Sequence, residues 1–286
     1  IGLSLVGSEM CIRDSIGLNY IGPIDGHNIP LLVKTLKRML EKNEPYILHV
    51  ITKKGAGFEP AENERIKYHA ISKIEKNPKK AKPKFQDIFG DWLCYKAKID
   101  PNLVGITPAM KEGSGMVEFE QKFPDRFYDV AIAEQHSVTF GSGLFLGGLK
   151  PVVAIYSSFL QRAYDQFIHD VCLENLDVTF ALDRAGVVGE DGPTHSGNFD
   201  LAFMRCVPNI ISSTPSDENE LWKLLNTSYH YKGPAAIRYP RGSGVGAKVS
   251  GKSDLLDVGK ANKILDGSKT CILNFGVLLS SCLLYT

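Results

Sequence analysis

The sequence lacks the features that mark several large classes of protein. Its six cysteines lie far apart without a Cys-x-x-Cys pair, so neither a disulfide framework nor a zinc site is expected. No apolar run approaches the roughly 20 residues that cross a bilayer, and a formal net charge of +1 gives no general attraction to nucleic acid or anionic membranes. We therefore expect a soluble protein with neither a nucleic-acid nor a membrane partner, from a reducing compartment.

The two ends of the sequence differ in character from the rest. The chain opens with Ile1, and residues 3–15 have neither a basic start nor a long apolar stretch, so they do not form a secretory signal. Residues 8–15 and 280–286 resemble translated adapter sequence at the ends of assembled fragments. We expect 1–15 and 278–286 to be non-native and exclude them from the fold prediction.

The 286 residues, 43% hydrophobic and 23% charged, suffice for one large domain or two smaller ones. Apolar residues at helical spacing predict a helix over 28–43, and a buried strand is expected over 46–52. The Lys- and Pro-rich stretch 73–84 predicts an exposed linker. The predicted domains are thus 16–72, 85–245 and 246–277, the last with a hairpin at Asp266-Gly267.

Residues 85–245 carry the clearest pattern. Five strand-like runs (127–132, 151–156, 177–182, 209–213 and 235–239) alternate with helical patterns. This alternation predicts an α/β fold with a mainly parallel sheet flanked by helices. One helix is expected over 158–174, and another after Pro215, with Ser216 or Asp217 as its cap and Glu220 completing a capping box.

Polar residues follow the predicted strands, at the edge where ligands of open parallel sheets bind. They comprise one carboxylate (Glu134), a histidine (His195) and three arginines (Arg162, Arg184, Arg241), and a second histidine (His69) lies upstream. Arginines suit phosphates and carboxylates because they form paired, charge-assisted hydrogen bonds. These residues alone indicate an α/β enzyme that acts on a small phosphorylated or carboxylated metabolite.

Longer motifs carry a resemblance to a known family. They lie at 20–27, 107–115, 129–136, 156–166, 183–186, 191–195, 214–219 and 238–242. In this order, from about Gly17 to Gly276, they resemble the 1-deoxy-D-xylulose-5-phosphate synthase family of transketolase-like thiamine diphosphate enzymes. The resemblance implies a thiamine-diphosphate-binding fold, with the end of the diphosphate-binding domain in 16–72, the pyrimidine-binding domain in 85–245 and the start of the C-terminal domain in 246–277.

The resemblance also implies a reaction and its cofactors. The family condenses pyruvate with D-glyceraldehyde 3-phosphate, with loss of carbon dioxide, to form a precursor of isoprenoids, thiamine and pyridoxal. It uses thiamine diphosphate and Mg²⁺, but the Gly-Asp-Gly signature that holds the metal and the diphosphate is absent here. We therefore expect those ligands upstream, name no metal ligand, and expect the fragment to be inactive alone. The intact protein is expected to be a homodimer in a bacterial cytoplasm or a plastid stroma.

Two residues are implied as cofactor contacts. Glu134 matches the glutamate that hydrogen-bonds the aminopyrimidine ring, a role that needs a dry pocket, for which residues 131–133 offer apolar walls. Its alternative is a helix-capping glutamate. Phe159 matches an aromatic that stacks on the same ring, although an aromatic at helical spacing is more often part of a core.

Further matches are implied as substrate contacts. Arg162 and Arg241 are expected to bind the phosphate, and Arg184 to help there or to position the acceptor. Asp191 and His195 would handle the acceptor's hydroxyl and carbonyl, where protons move; Tyr156 also matches a substrate-facing position. His69 resembles a histidine near the reacting carbon, and its alternative is a structural histidine.

Two rival functions remain open from the sequence. Transketolase or a 2-oxo acid dehydrogenase component would share the glutamate and the domain type, although the motifs at 191–195 and 239–242 suit the synthase better. A catalytically silent module built on the pyrimidine domain is the second, and the retention of Glu134 with all three arginines argues against it.

Overall fold

The computed structural model describes residues 17–65, 68 and 82–285, which fall into two compact units, 1–79 and 80–286. In the first unit, parallel strands β1 (Asn19–Asp25) and β2 (Tyr46–Ile51) pair, with helices α1 (Ile29–Leu40) and α2 (Glu59–Asn63). The predicted helix is present. The predicted strand is present but not buried, because its side chains alternate between half-buried and exposed. Strand β1 was not predicted, since Gly22 and Pro23 interrupt its apolar pattern.

The second unit is built on a sheet of six parallel strands in the order β4-β3-β5-β6-β8-β7. The strands are β3 (Leu103–Thr107), β4 (Phe127–Asp129), β5 (Lys150–Tyr156), β6 (Thr179–Asp183), β7 (Ile211–Ser213) and β8 (Ala235–Arg238). The predicted α/β fold with a parallel sheet is therefore confirmed. Sequence analysis found every strand of this sheet except β3.

Helices cover both faces of this sheet. They are α3 (Phe85–Ile99), α4 (Val117–Lys122), α5 (Glu134–Leu146), α8 (Asp200–Met204) and α9 (Glu218–His230). Successive residues of β5 point to opposite faces: Val152 and Ala154 join one apolar cluster, with α3 and α9, while Val153 and Ile155 join the other, with α5. The strands read as continuous apolar runs because both faces are buried.

The predicted helix over 158–174 is interrupted. It consists of α6 (Ser157–Leu160), a 3₁₀ turn (Gln161–Ala163), α7 (Tyr164–Gln166) and a π-helical turn (Phe167–Cys172). The side chains of Ala163, Phe167 and Val171 are nevertheless buried. The apolar spacing thus identified the buried face, but it does not fix the helical pitch.

The capping prediction for α9 is correct in detail. The Asp217 carboxylate accepts a hydrogen bond from the Glu220 amide at 2.8 Å, and the Glu220 carboxylate accepts one from the Ser216 amide at 2.6 Å. These contacts fix the start of the helix after Pro215.

The predicted hairpin is wrong: no strand occurs in residues 246–278, and a short helix, α10 (Leu279–Tyr285), follows them. The flanking apolar residues Ile264, Leu265, Ile272 and Leu273 are all more than half exposed. A turn signal does not hold two strands together without an apolar face to bury. None of the helices described above has both the length and the apolar character of a membrane-spanning segment.

Candidate functional site

The carboxyl ends of the central strands bring chemically active side chains to one edge of the sheet. β5 ends at Tyr156, β6 at Asp183 and β8 at Arg238, shortly before Arg241. Parallel pairing aligns these ends, with Tyr156 opposite Asp183. The contacts below join eight of the predicted site residues in one cluster.

Glu134 is the first residue of α5 and lies just beyond β4. Its carboxylate is buried and forms an ion pair with Arg162, with 2.6 Å between Oε1 and Nη1. The expected apolar walls are only partly present, because Ile132 is 78% exposed, beyond a turn in which Ala131 has a φ of 58°. The guanidinium of Arg162 contacts the carboxylate from a side chain that is 57% exposed.

Three aromatic rings lie beside this ion pair. Phe159 stacks on Tyr156 with 5.3 Å between ring centroids, and the His195 ring packs edge-on against Phe159 at 5.2 Å. The Arg162 guanidinium lies over the Phe159 ring at 5.5 Å. Burial raises the pKa of the Tyr156 hydroxyl above its usual value, so this side chain stays neutral near pH 7.

Arg184 also contacts the Tyr156 ring. Its guanidinium carbon is 4.2 Å from the Tyr156 ring centroid, and Nη1 donates to the Asp183 carboxylate at 2.6 Å and to the Gly113 carbonyl at 2.7 Å. Gly113 must be small, because a Cβ there would lie 1.9 Å from the Tyr156 hydroxyl oxygen.

Asp191 connects two of the predicted arginines. Its Oδ2 is 3.0 Å from Arg241 Nε and 3.5 Å from Arg184 Nε. Arg241 also pairs with the exposed Glu190 at 3.1 Å. His195, in the turn that follows, has its Nδ1 3.0 Å from the Thr194 hydroxyl.

Two further residues of the cluster, Asp183 and Gly113, were not among the predicted site residues. Both lie inside motifs that carry the family resemblance, at 183–186 and 107–115, and Asp183 directly follows the predicted strand 177–182. That position was the available signal for the carboxylate, whereas the steric need at Gly113 depends on Tyr156, which is distant in sequence. His69 lies outside the described residues.

The same edge holds most of the buried polar atoms that have no hydrogen-bond partner among the described residues. These atoms are Thr107 Oγ1, Ser114 Oγ, Ser157 Oγ, Ser158 Oγ, Arg184 Nε and Tyr239 Oη, with Gln166 Oε1 elsewhere. Buried polar groups without partners are rare in native proteins, and a polar ligand or ordered water commonly completes them. No group of histidines, cysteines and carboxylates in the described ranges is arranged to hold a metal ion.

Comparison with known proteins identifies the family of this chain. The family model described as "Transketolase, pyrimidine binding domain" matches residues 81–245, so the chain belongs to the transketolase pyrimidine-binding domain family. A second model, described as 1-deoxy-D-xylulose-5-phosphate synthase, matches residues 4–52.

Individual relatives show more specifically which enzymes this chain resembles. The chain is 60% identical over 277 residues to a 1-deoxy-D-xylulose-5-phosphate synthase of Hahella chejuensis, and 57% identical over 276 residues to one of Stutzerimonas stutzeri. Each match covers 94% of this chain but only 43% and 44% of the relatives, so the chain spans less than half their length. The resemblance predicted from the motifs is confirmed.

Solved structures support the fold alone. A split-gene transketolase, described as an inactive beta4 tetramer, is 24% identical with a TM-score of 0.54, over 62% of this chain and 57% of its own. A transketolase from Campylobacter jejuni is 16% identical with a TM-score of 0.52. That match covers 80% of this chain and 48% of the transketolase.

Proposed function

We propose that the protein containing this chain condenses pyruvate with D-glyceraldehyde 3-phosphate, with loss of carbon dioxide, to give 1-deoxy-D-xylulose 5-phosphate. Relatives of that name at 56–60% identity support the reaction. The observation that carries it is structural: the buried carboxylate of Glu134 is joined through Arg162, Phe159 and Tyr156 to the other two arginines. In this proposal the carboxylate that shares a proton with the coenzyme and the arginines that bind the phosphate lie at the same edge of the sheet.

The residues fit the pyrimidine end of thiamine diphosphate. The buried Glu134 carboxylate matches a hydrogen bond to a ring nitrogen, which is strong where water is excluded, and Phe159 would offer a ring for stacking once the Arg162 guanidinium over it moves away. The bound coenzyme supplies the electron sink on which a 2-oxo acid loses carbon dioxide. The diphosphate and Mg²⁺ ligands are proposed to lie outside this chain.

Arg162 has two partners in this proposal. It contacts both Glu134 and Phe159, the two groups assigned to the pyrimidine. A pyrimidine between them requires the guanidinium to leave the Glu134 carboxylate. The exposed Arg162 side chain can make that movement, which would free it for the substrate phosphate.

The three arginines differ in how freely they can meet a substrate. The side chains of Arg162 and Arg241 are 57% and 35% exposed, whereas that of Arg184 is only 11% exposed. We assign the phosphate mainly to the first two, with the less exposed Arg184 as a further contact that helps there or positions the acceptor. Asp191 and His195 would exchange hydrogen bonds and protons with the acceptor's hydroxyl and carbonyl.

The site also has an uncovered apolar border. Ile132 and Val187 are 78% and 82% exposed, and Phe199 is 64% exposed. Large exposed apolar side chains around a cleft are typical of a surface that another domain or subunit covers, which supports the expected homodimer. The bacterial sources of the relatives support a bacterial cytoplasmic setting.

Acceptor use tests the function. A full-length protein containing this chain should form 1-deoxy-D-xylulose 5-phosphate from pyruvate and glyceraldehyde 3-phosphate, and should be inactive with ketose phosphate donors. Preference for ketose phosphates would favour transketolase, and transfer of the acyl group to a lipoyl carrier would favour a 2-oxo acid dehydrogenase component. Inactivity with all donors, with coenzyme bound, would favour the silent module.

A further inference from the structure

Asp183 is a buried carboxylate that the proposed reaction does not use. It ends β6 and is 1% exposed. Both of its oxygens are occupied: Oδ1 accepts the backbone amide of Arg184 at 2.6 Å, and Oδ2 accepts Arg184 Nη1 at 2.6 Å. One carboxylate therefore fixes both the backbone and the side chain of the next residue.

Arg184 is held from several directions at once. Its backbone adopts a left-handed φ of 58°, which is unfavourable for a side chain of this size and needs support from its surroundings. Besides the carboxylate, Nη1 meets the Gly113 carbonyl at 2.7 Å and Gln86 Oε1 at 3.1 Å. These contacts fix the guanidinium against the Tyr156 ring, and its buried Nε lies 3.5 Å from Asp191.

Only an ionised carboxylate can serve both Arg184 donors. An asparagine has one oxygen and one NH₂ group, and a protonated carboxyl has one O–H donor. Either form would place a donor against a donor, at the backbone amide or at Nη1. A buried donor without an acceptor is unfavourable, so the longer and more mobile guanidinium should be the group that moves.

We propose that Asp183 is a positioning residue, which holds the Arg184 guanidinium against Tyr156 and beside Asp191 while ionised and releases it when protonated. The inference rests on the proposed function in one respect, namely that Arg184 serves an anionic substrate. The contacts themselves do not depend on which substrate that is.

The release should fall in an accessible pH range. Burial raises the pKa of Asp183 to about 6, with Asp191 adding to the rise and Arg184 opposing it. The other titratable groups around this carboxylate are Tyr156 and Tyr239, whose own pKa values are raised by burial. Both tyrosines stay neutral in this range, so they add no charge beside Asp183. We therefore expect the carboxylate to be ionised and to hold Arg184 above about pH 6, and to be protonated below it.

Nuclear magnetic resonance of the arginine Nε–H groups in this chain tests the proposal without any substrate. At pH 7.5 the Arg184 signal should be protected from solvent exchange, and it should lose that protection in Asp183→Asn. The matched control is Asp177→Asn, before the same strand, where the carboxylate accepts the Gly233 amide at 2.6 Å and pairs with lysines. That variant should leave Arg184 protected.

Repeating the exchange measurement over a range of pH gives a result that a purely structural role of Asp183 would not produce. In the unmodified chain, protection should disappear as the pH falls through about 6, while the chain remains folded by circular dichroism. Protection that persists to pH 5, or in Asp183→Asn, would overturn the proposal. If Asp183→Asn does not fold, the series on the unmodified chain decides.

Binding of inorganic sulfate, which does not titrate in this range, separates this inference from the proposed function. By calorimetry at constant ionic strength, Asp183→Asn should bind sulfate about tenfold more weakly, the effect of one lost hydrogen bond to a charged group. Asp177→Asn should bind it normally. If the unmodified chain binds no sulfate, the proposed phosphate site fails, while the exchange experiment still decides the role of Asp183.

Discussion

Charged side chains at the two ends of the parallel sheet differ in how completely they are paired within the chain. At the amino end, Asp177 accepts the Gly233 amide and pairs with Lys150 and Lys232 at 3.6 and 3.4 Å. At the carboxyl end, Asp183 is fully buried, Arg184 Nε has no hydrogen-bond partner in the described part of the chain, and the buried Glu134 carboxylate pairs with the exposed side chain of Arg162.

This contrast separates stability from function. At the amino end, both oxygens of Asp177 have partners in the chain, as expected for a polar group with a structural role. The carboxyl end leaves donors and acceptors incomplete, an arrangement that lowers stability unless a ligand completes it. Substitutions at the carboxyl end should therefore change binding and turnover more than stability, and substitutions elsewhere should do the reverse.

The largest expected effect is on turnover. In a full-length protein containing this chain, Glu134→Gln should lower kcat at least about a hundredfold, because the amide cannot share a proton with the pyrimidine as a carboxylate does. Glu218→Gln is the matched control: Glu218 is also buried at the first position of a helix, and it accepts the Gly246 and Ala247 amides. Equal loss of turnover in the two variants would show that any buried glutamate matters and would remove the special role of Glu134.

The apolar core should show the opposite pattern. Leu93 is fully buried in α3, and Leu93→Ala should lower the free energy of unfolding by about 3 kcal/mol, through lost burial and the cavity left behind. Urea unfolding measures this loss. Sulfate affinity should not change, and a parallel loss of affinity would break the separation between core and site.

Stability should depend on pH through Asp183. Its pKa is about 6 in the folded chain against an ordinary value of about 3.9, so the folded state favours the protonated form. The extra stability that this provides is fully present below about pH 4 and is lost as the pH rises through about 6. Relative to Asp183→Asn, the free energy of unfolding should fall by about 2 kcal/mol over that range. A difference that stays constant from pH 4 to 7 in urea unfolding would contradict the burial of this carboxylate.

The smallest expected change in stability is at Gly113. Gly113→Ala places a Cβ against the Tyr156 hydroxyl, which should lower the free energy of unfolding by about 1–2 kcal/mol and weaken sulfate binding by displacing Tyr156 and Arg184. Gly143→Ala, where a Cβ meets open space, is the control and should be neutral or stabilising, since alanine favours helix. Unchanged sulfate affinity in Gly113→Ala would show that Tyr156 tolerates displacement.

The sequence predicted elements best where burial imposes a strong pattern. The strands of the six-stranded sheet other than β3, helix α1 and the cap of α9 all follow from apolar runs, spacing and capping residues. Two features that depend on distant contacts were not predicted. One is the interrupted helix over 157–172. The other is the exposure of the apolar residues around Asp266-Gly267, where the local turn signal wrongly predicts a hairpin. The location of the candidate site is a prediction from the rule that ligands bind at the carboxyl ends of parallel strands.

The partners of the site residues were beyond sequence reasoning. Arg162 was expected to meet a phosphate, and its observed partner is the Glu134 carboxylate, 28 positions away in the chain. No spacing rule relates a residue that opens one helix to a residue in a 3₁₀ turn after a later strand. Their contact arises only when the sheet brings the two strand ends together.

A crystal structure of the full-length protein with thiamine diphosphate bound would show directly whether Glu134 contacts the aminopyrimidine. We expect a Glu134 oxygen within hydrogen-bond distance, about 2.6–3.0 Å, of a pyrimidine ring nitrogen, with the Arg162 guanidinium moved away from that carboxylate. A pyrimidine bound elsewhere, with Glu134 and Arg162 still paired, would contradict it.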